Sequence, residues 1–147
     1  MSTHETRLTW KLGNRAFRHQ EYGRDHEVFL ADKPLAVSAA AEYRGNPELT
    51  NPEDLLVAAL SSCHMLSFLA IAARRGFTVQ SYDDRAVGTL AKNDEGRLAI
   101  TTCVLHPQIV FGGPIDRAQL DSLHDEAHHA CFIASSVKTV VTIEPSA

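Results

Sequence analysis

The chain has 147 residues, of which 44% are hydrophobic and 22% charged, and a net charge of −4. That length supports one domain with a real core, spanning residues 1–147, and the acidic balance without a Lys/Arg-rich run excludes the footprint of a nucleic-acid binder. The start, MSTHETRLTWK, lacks the apolar stretch of a signal peptide, and Cys63, Cys103 and Cys131 are too few and too far apart for a secreted disulfide scaffold, so a cytoplasmic protein with reduced or redox-active thiols is expected.

Residues 1–50 read as a β-meander and a loop. Leu8–Leu12 alternates apolar with polar and predicts a strand, Gly13-Asn14 a turn, and Ala16–Tyr22 a return strand. Val28–Leu30 and Leu35–Ala39 form a second pair around Asp32-Lys33-Pro34. Glu42–Thr50 is a loop leading into a long helix.

Residues 51–76, NPEDLLVAALSSCHMLSFLAIAARRG, predict that helix as a single element. Asn51 caps it, Pro52 suits the first position, and Glu53 and Asp54 face the positive end of its dipole. Arg74 and Arg75 sit at the negative end, and Gly76 can take the left-handed stop. A helix of about 24 residues is about 36 Å long. Leu55 to Ala73 is an uncharged run of 19 residues, the length of a membrane span, but its centre holds Ser61, Ser62, Cys63, His64 and Ser67. The run is therefore read as a core helix and not as a span.

Residues 77–147 hold the remaining elements. Thr78–Leu90 is extended, with an interruption at Tyr82-Asp83-Asp84-Arg85; Asn93–Gly96 is a hairpin turn. Arg97–Phe111 reads as one long strand containing Cys103. Asp116 caps a second helix to about Ala130, with Leu120, Leu123, Ala127 and Ala130 on one face. Cys131 falls at its end, and Val137–Ile143 closes as a strand. Strands and helices segregate, which defines an α+β domain.

Cys63 lies mid-helix, where the dipole gives no help in holding a thiolate. His64 points about 100° away around the helix, so any cation must come from elsewhere in the chain. Read without further context, Cys63 could be a small buried hydrophobe, Glu53 a first-turn dipole residue and Arg24 a solvated strand-end charge. Cys103 reads as a core residue. His128, His129 and Cys131 with Cys63 could in principle hold zinc, but no CxxC or HExxH spacing supports it, and no metal is expected.

The segment from Asn51 to Gly76 resembles the central helix of the OsmC/Ohr family of thiol peroxidases: Asn-Pro-Glu, a small-residue-rich apolar stretch, then a cysteine ten residues after the Glu, an interval Glu53 and Cys63 reproduce. Gly23-Arg24-Asp25 looks like the family's Gly-Arg-Asp, and Cys131 matches a second cysteine closing the last helix. The likeness runs from about Leu8 to Ile143. One position departs: the family commonly has Pro after the second cysteine, where Phe132 stands here. The SSCHML variant looks closer to the family's less defined members.

The resemblance implies an OsmC-like fold with antiparallel sheets around long central helices, and an intertwined homodimer. It implies that Cys63 attacks an organic hydroperoxide and becomes a sulfenic acid, that Arg24 supplies the cation, that Glu53 orients Arg24, and that Cys131 resolves the sulfenic acid to a disulfide. A dithiol or thiol protein would regenerate the thiols, with no cofactor. Arg44, in the loop before the helix, is a rival cation; His26 and His64 could lie around the site, and Met65, Leu66 and Phe68 could wall an apolar pocket. Ten residues of helix separate Glu53 from Cys63 by about 15 Å, so one Arg cannot touch both on a straight helix. Either the helix breaks or Glu53 serves the Cys63 of a second subunit across a contact eased by Ala58, Ala59, Ser61 and Ser62. Two other activities are compatible with the residues: a ligand-binding or thiol-sensing protein in which Cys63 reacts without turnover, and a thiol hydrolase with His64 or His26 as base.

Overall fold

The computed structural model describes residues 1–145. The chain divides into two compact units, Met1–Leu55 and Leu56–Ala147.

The first unit is a three-stranded antiparallel sheet. Its strands β1 (Arg7–Thr9), β2 (His26–Leu30) and β3 (Lys33–Val37) lie in the order β1-β2-β3. Leu8 pairs with Val28 and Val28 with Leu35, so the alternating apolar residues share one face. The meander is shorter than its hydrophobic pattern predicts. Leu8–Leu12 is a strand only to Thr9, and Ala16–Tyr22 is a series of turns and not a return strand. Its residues pack by side chain instead: Phe17 and Tyr22 gather against Trp10, whose Nε1 donates to the Gly23 carbonyl at 2.8 Å. After β3 a single 3-10 turn (Ala41–Tyr43) sits inside the expected loop.

The long helix α1 spans Pro52–Arg74 without a break. The Asn51 side chain accepts from the Asp54 amide at 2.8 Å, which makes it the expected cap. At the other end the Gly76 amide donates to Ala73 O and the Phe77 amide to Ala72 O. Gly76 has φ +79°, the left-handed conformation of this stop.

Beyond α1 the second unit has two sheets. β4 (Val79–Asp84) pairs with β7 (Pro107–Phe111); β5 (Val87–Lys92) pairs with β6 (Leu98–Leu105), and β8 (Val140–Ile143) joins β6 in parallel. Two expectations are corrected here. Tyr82–Asp84 continues the strand, and the break falls at Arg85-Ala86. The run Arg97–Phe111 is two strands, because the chain leaves one sheet for the other at His106, whose amide is taken up by Asp84 at 2.7 Å.

Helix α2 (Arg117–Ala130) begins with a full capping box between Asp116 and Gln119. A short helix that the sequence did not announce, α3 (Phe132–Ser136), comes next. One core gathers Phe68, Ile71 and Ala72 of α1 with Leu123 and Ala127 of α2; a second sets Leu60 against Cys103 and Leu105 of β6. Cys103 is thus a core residue, its thiol pushed up by burial first and by Asp84 second. α1 approaches β5 so closely that a Cβ on Gly88 would come within 2.4 Å of Val57 Cγ2.

Candidate active site

Both thiols singled out in the sequence reach one place. Cys63 sits half-buried in the middle of α1. Burial of Leu123 and Ala127 fixes α2 against α1. One turn beyond Cys63, the Ser67 hydroxyl donates to Ala130 O at 3.5 Å, linking α1 to the last residue of α2. The next residue is Cys131, which closes α2 and opens α3. Its amide donates to His128 O at 3.2 Å, and its Sγ accepts from the Ala134 amide at 3.4 Å. The Cys131 thiol then lies within hydrogen-bonding reach of Cys63.

Cys131 is buried, and that burial pushes its thiol up; the Ala134 amide pulls it down and neighbouring Cys63 pushes it up further. The resting Cys131 is therefore a neutral thiol. All three cysteines are free. Two reduced sulfurs in this contact can together give up two electrons and form a disulfide.

The departure at Phe132 has a simple geometric reading. Phe132 is the first residue of α3, the helical position that proline also suits. Replacing a proline there leaves the turn that holds Cys131 intact, and the Phe132 ring stands 81% exposed.

Arg24 and Glu53 are not joined in the single chain. The Arg24 guanidinium donates to Tyr22 O at 3.0 Å and His19 O at 2.9 Å, and lies over the Tyr22 ring. Glu53 Oε2 is shut off from solvent without a hydrogen-bond partner among the described residues. The His26 ring is hydrogen-bonded to Arg24 O at 2.8 Å. Arg44 follows the 3-10 turn with φ +65°.

Two suggested roles are redirected. Phe68 is fully buried between Tyr82, Phe111 and His124, so it belongs to the core and does not wall a pocket. Ser61 donates to Asp84, so that hydroxyl is committed to β4. His64 turns away from Cys63 into the interior. Its ring stacks on His124 at 5.4 Å, and His64 Nε2 and His124 Nδ1 share a hydrogen bond of 3.0 Å. Burial holds both imidazoles down at about 4. The pair eluded sequence reading because only the packing of α1 on α2 joins positions 64 and 124; the apolar stripe of α2 is its one advance signal. The Ala134 amide on Cys131 was missed too, since Cys is not among the residues that announce a helix cap.

A long α-helix carrying one thiol, packed against a second helix that ends in another, makes this an α+β protein with two free thiols side by side. The family model described as OsmC-like protein matches residues 45–146. The peroxiredoxin OsmC of Escherichia coli (strain K12) is 32% identical over 95 residues, which are 65% of this chain and 65% of that protein. The match thus spans just under two thirds of that relative. An OsmC-like protein of unknown function from Vibrio cholerae has the same fold at TM-score 0.92, with 42% identity over 99% of this chain and 100% of the other. An organic hydroperoxide resistance protein from Legionella pneumophila superposes at TM-score 0.73 with 18% identity and full coverage of both chains, a likeness of fold. The chain belongs to the OsmC-like family.

Proposed function

We propose that the protein is a cysteine-based peroxidase that reduces organic hydroperoxides to alcohols. The observation that carries this reading is the Cys131 thiol within hydrogen-bonding reach of Cys63, and the similarity to a peroxiredoxin supports it. The Cys63 thiolate attacks the terminal peroxide oxygen; the O–O bond breaks, the alkoxide leaves and takes a proton, and Cys63 becomes a sulfenic acid. Cys131 attacks that sulfur, water leaves, and the two cysteines are joined. An external dithiol then exchanges with the disulfide, regenerating both thiols and becoming oxidised itself. A neutral resting Cys131 suits this order, because it does not compete for the peroxide.

The cation and its carboxylate belong to a homodimer in this reading. α1 is unbroken, so Glu53 lies about 15 Å along the axis from the Cys63 of its own chain. Only 28% of the most apolar window of α1 is buried within one chain, and Leu66 on it is 60% exposed. A second copy covering that surface accounts for both, and would bring Arg24 and Glu53 to a Cys63. Arg24 would then polarise the peroxide, with Glu53 orienting it.

The test is a single turnover of the reduced protein with one equivalent of cumene hydroperoxide, beside hydrogen peroxide, read as thiol loss and the Cys63–Cys131 crosslink by mass spectrometry. Fast oxidation that favours the organic peroxide supports the reading. Oxidation no faster than that of a free thiol would sink it and leave a binding or sensing protein on the same fold.

A further inference from the structure

A disulfide between Cys63 and Cys131 offers an external thiol two sulfurs to attack, and the fold treats them differently. Cys131 is 2% exposed, whereas Cys63 is half-buried on the stretch of α1 that also carries the exposed Ser62 and Leu66. The enclosure of Cys131 has identifiable walls. Cys63 of α1 lies against its sulfur on one side, and the Ala134 amide donates to that sulfur at 3.4 Å. The residues that follow it, Ile133, Ala134 and Val137, are themselves packed on the core of Leu60, Cys103 and Leu105.

Thiol–disulfide exchange requires the attacking sulfur to come in line with the bond that breaks. A thiol aimed at Cys131 would have to arrive from the side away from Cys63, where the burial of Cys131 leaves it no approach. A thiol aimed at Cys63 meets no such barrier in the chain. In the proposed cycle the peroxide must reach Cys63 as well, so whatever path admits it, past a second copy or not, also admits a thiol.

The surroundings of Cys131 also favour its release as a leaving group. Burial first, and Cys63 after it, push its thiol up, so a thiolate set free there takes a proton and returns to the neutral form. By itself that makes a slower leaving group, but the Ala134 amide pulls the other way and is already in place to meet the charge as the bond breaks. Acidity of the leaving thiol only grades the rate, while enclosure of the attacked sulfur removes the reaction. Access therefore decides.

From this asymmetry we infer that electrons enter the protein at Cys63: the reducing thiol forms its mixed disulfide with Cys63, and Cys131 is the group expelled. A thiolate of the reductant attacks Cys63 Sγ, the Cys63–Cys131 bond breaks, and its electron pair leaves on Cys131 Sγ, which takes a proton. The second thiol of the reductant then loses its proton and attacks the reductant sulfur of the mixed disulfide. The reductant leaves as its own disulfide, and Cys63 is freed as a thiolate. One sulfur thus receives the peroxide and the reductant in turn, while Cys131 meets neither. This order rests on the disulfide of the proposed cycle, whatever oxidant forms it.

The experiment joins Cys63 to Cys131 in the full-length protein with diamide and mixes the product with 2-mercaptoethanol, a monothiol that has no second sulfur to complete the reaction. The mixture is quenched in acid at short times and mapped by mass spectrometry, with Cys103 as the internal control that stays a free thiol. The expected early product carries the mercaptoethanol on Cys63 and a free thiol at Cys131, in at least tenfold excess over the reverse. An adduct chiefly on Cys131, equal amounts on both, or failure of diamide to join the pair overturns the inference. Because diamide replaces the peroxide, the two readings fail separately. Slow oxidation by cumene hydroperoxide with the adduct on Cys63 sinks the peroxidase alone, and fast oxidation with the adduct on Cys131 sinks only the point of entry.

Discussion

The stacked His64–His124 pair makes the folded protein sensitive to mild acid. Each ring titrates at about 4 in the folded chain against 6.5 when free, chiefly because burial disfavours the charged form; Asp121 and Asp125 oppose the shift at His124, and His124 and His128 reinforce it at His64. A folded value below the unfolded one means that the unfolded chain binds more protons between the two. The stability due to neutral imidazoles is therefore complete above pH 6.5 and is lost as the pH falls from there towards 4. At about 1.4 kcal/mol per pH unit, the loss is about 3 kcal/mol for the first ring to charge. The second ring adds to the loss, because a charge on the first further disfavours its protonation in the folded chain. For a domain of this size about 3 kcal/mol corresponds to roughly 6–12 °C in Tm. The assay is urea unfolding at several pH values from 7 to 4 and one protein concentration, for the native chain and for His64→Leu/His124→Leu. Replacing both partners by apolar groups is expected to be near neutral at pH 7, so the stability gap between the chains should turn in favour of the variant by at least about 3 kcal/mol by pH 4. Parallel curves over that range would refute the argument, and the acid sensitivity would then belong to the surface carboxylates.

Further outcomes are expected from the geometry. Cys63→Ser should abolish peroxide consumption, while Cys131→Ser should keep the first oxidation and accumulate a sulfenic acid, trappable by a dimedone-type probe; rapid turnover by the Cys131 variant would remove its resolving role. Gly88→Ala places a methyl against Val57 and should cost about 1–3 kcal/mol by chemical denaturation. Asp116→Ala dissolves the capping box of α2, with a loss of about 1 kcal/mol expected in the same measurement. Leu66→Glu charges the exposed face of α1 and should convert the proposed dimer to monomer in sedimentation; a monomeric native chain would refute that dimer, and an oligomer unchanged by the substitution would place the subunit contact elsewhere.

The features legible directly from the residues were those that depend on neighbours in sequence. The ends of α1 follow from Asn51, Pro52 and Gly76, and those of α2 from Asp116 and its apolar stripe, because caps and 3.6-residue periodicity act within a few residues. The spacing from Glu53 to Cys63 and the place of Cys131 after a helix carried the family resemblance in the same local way. Strand ends were less legible. Ala16–Tyr22 has a strand-like pattern but runs as turns, and Phe17 and Tyr22 pack on Trp10 instead. Similarly, Arg97–Phe111 is divided between two sheets by an Asp84 carboxylate more than 20 positions away.

The tertiary structure alone decided the contacts between distant positions. Cys63 and Cys131 come together only because α2 docks on α1 through Leu123 and Ala127 and α3 turns the Cys131 sulfur onto the Ala134 amide. His64 became half of a buried pair when His124 arrived from α2. Local sequence determines an element through short-range hydrogen bonds and sterics; a site is made by long-range burial, which brings together groups that no local pattern relates.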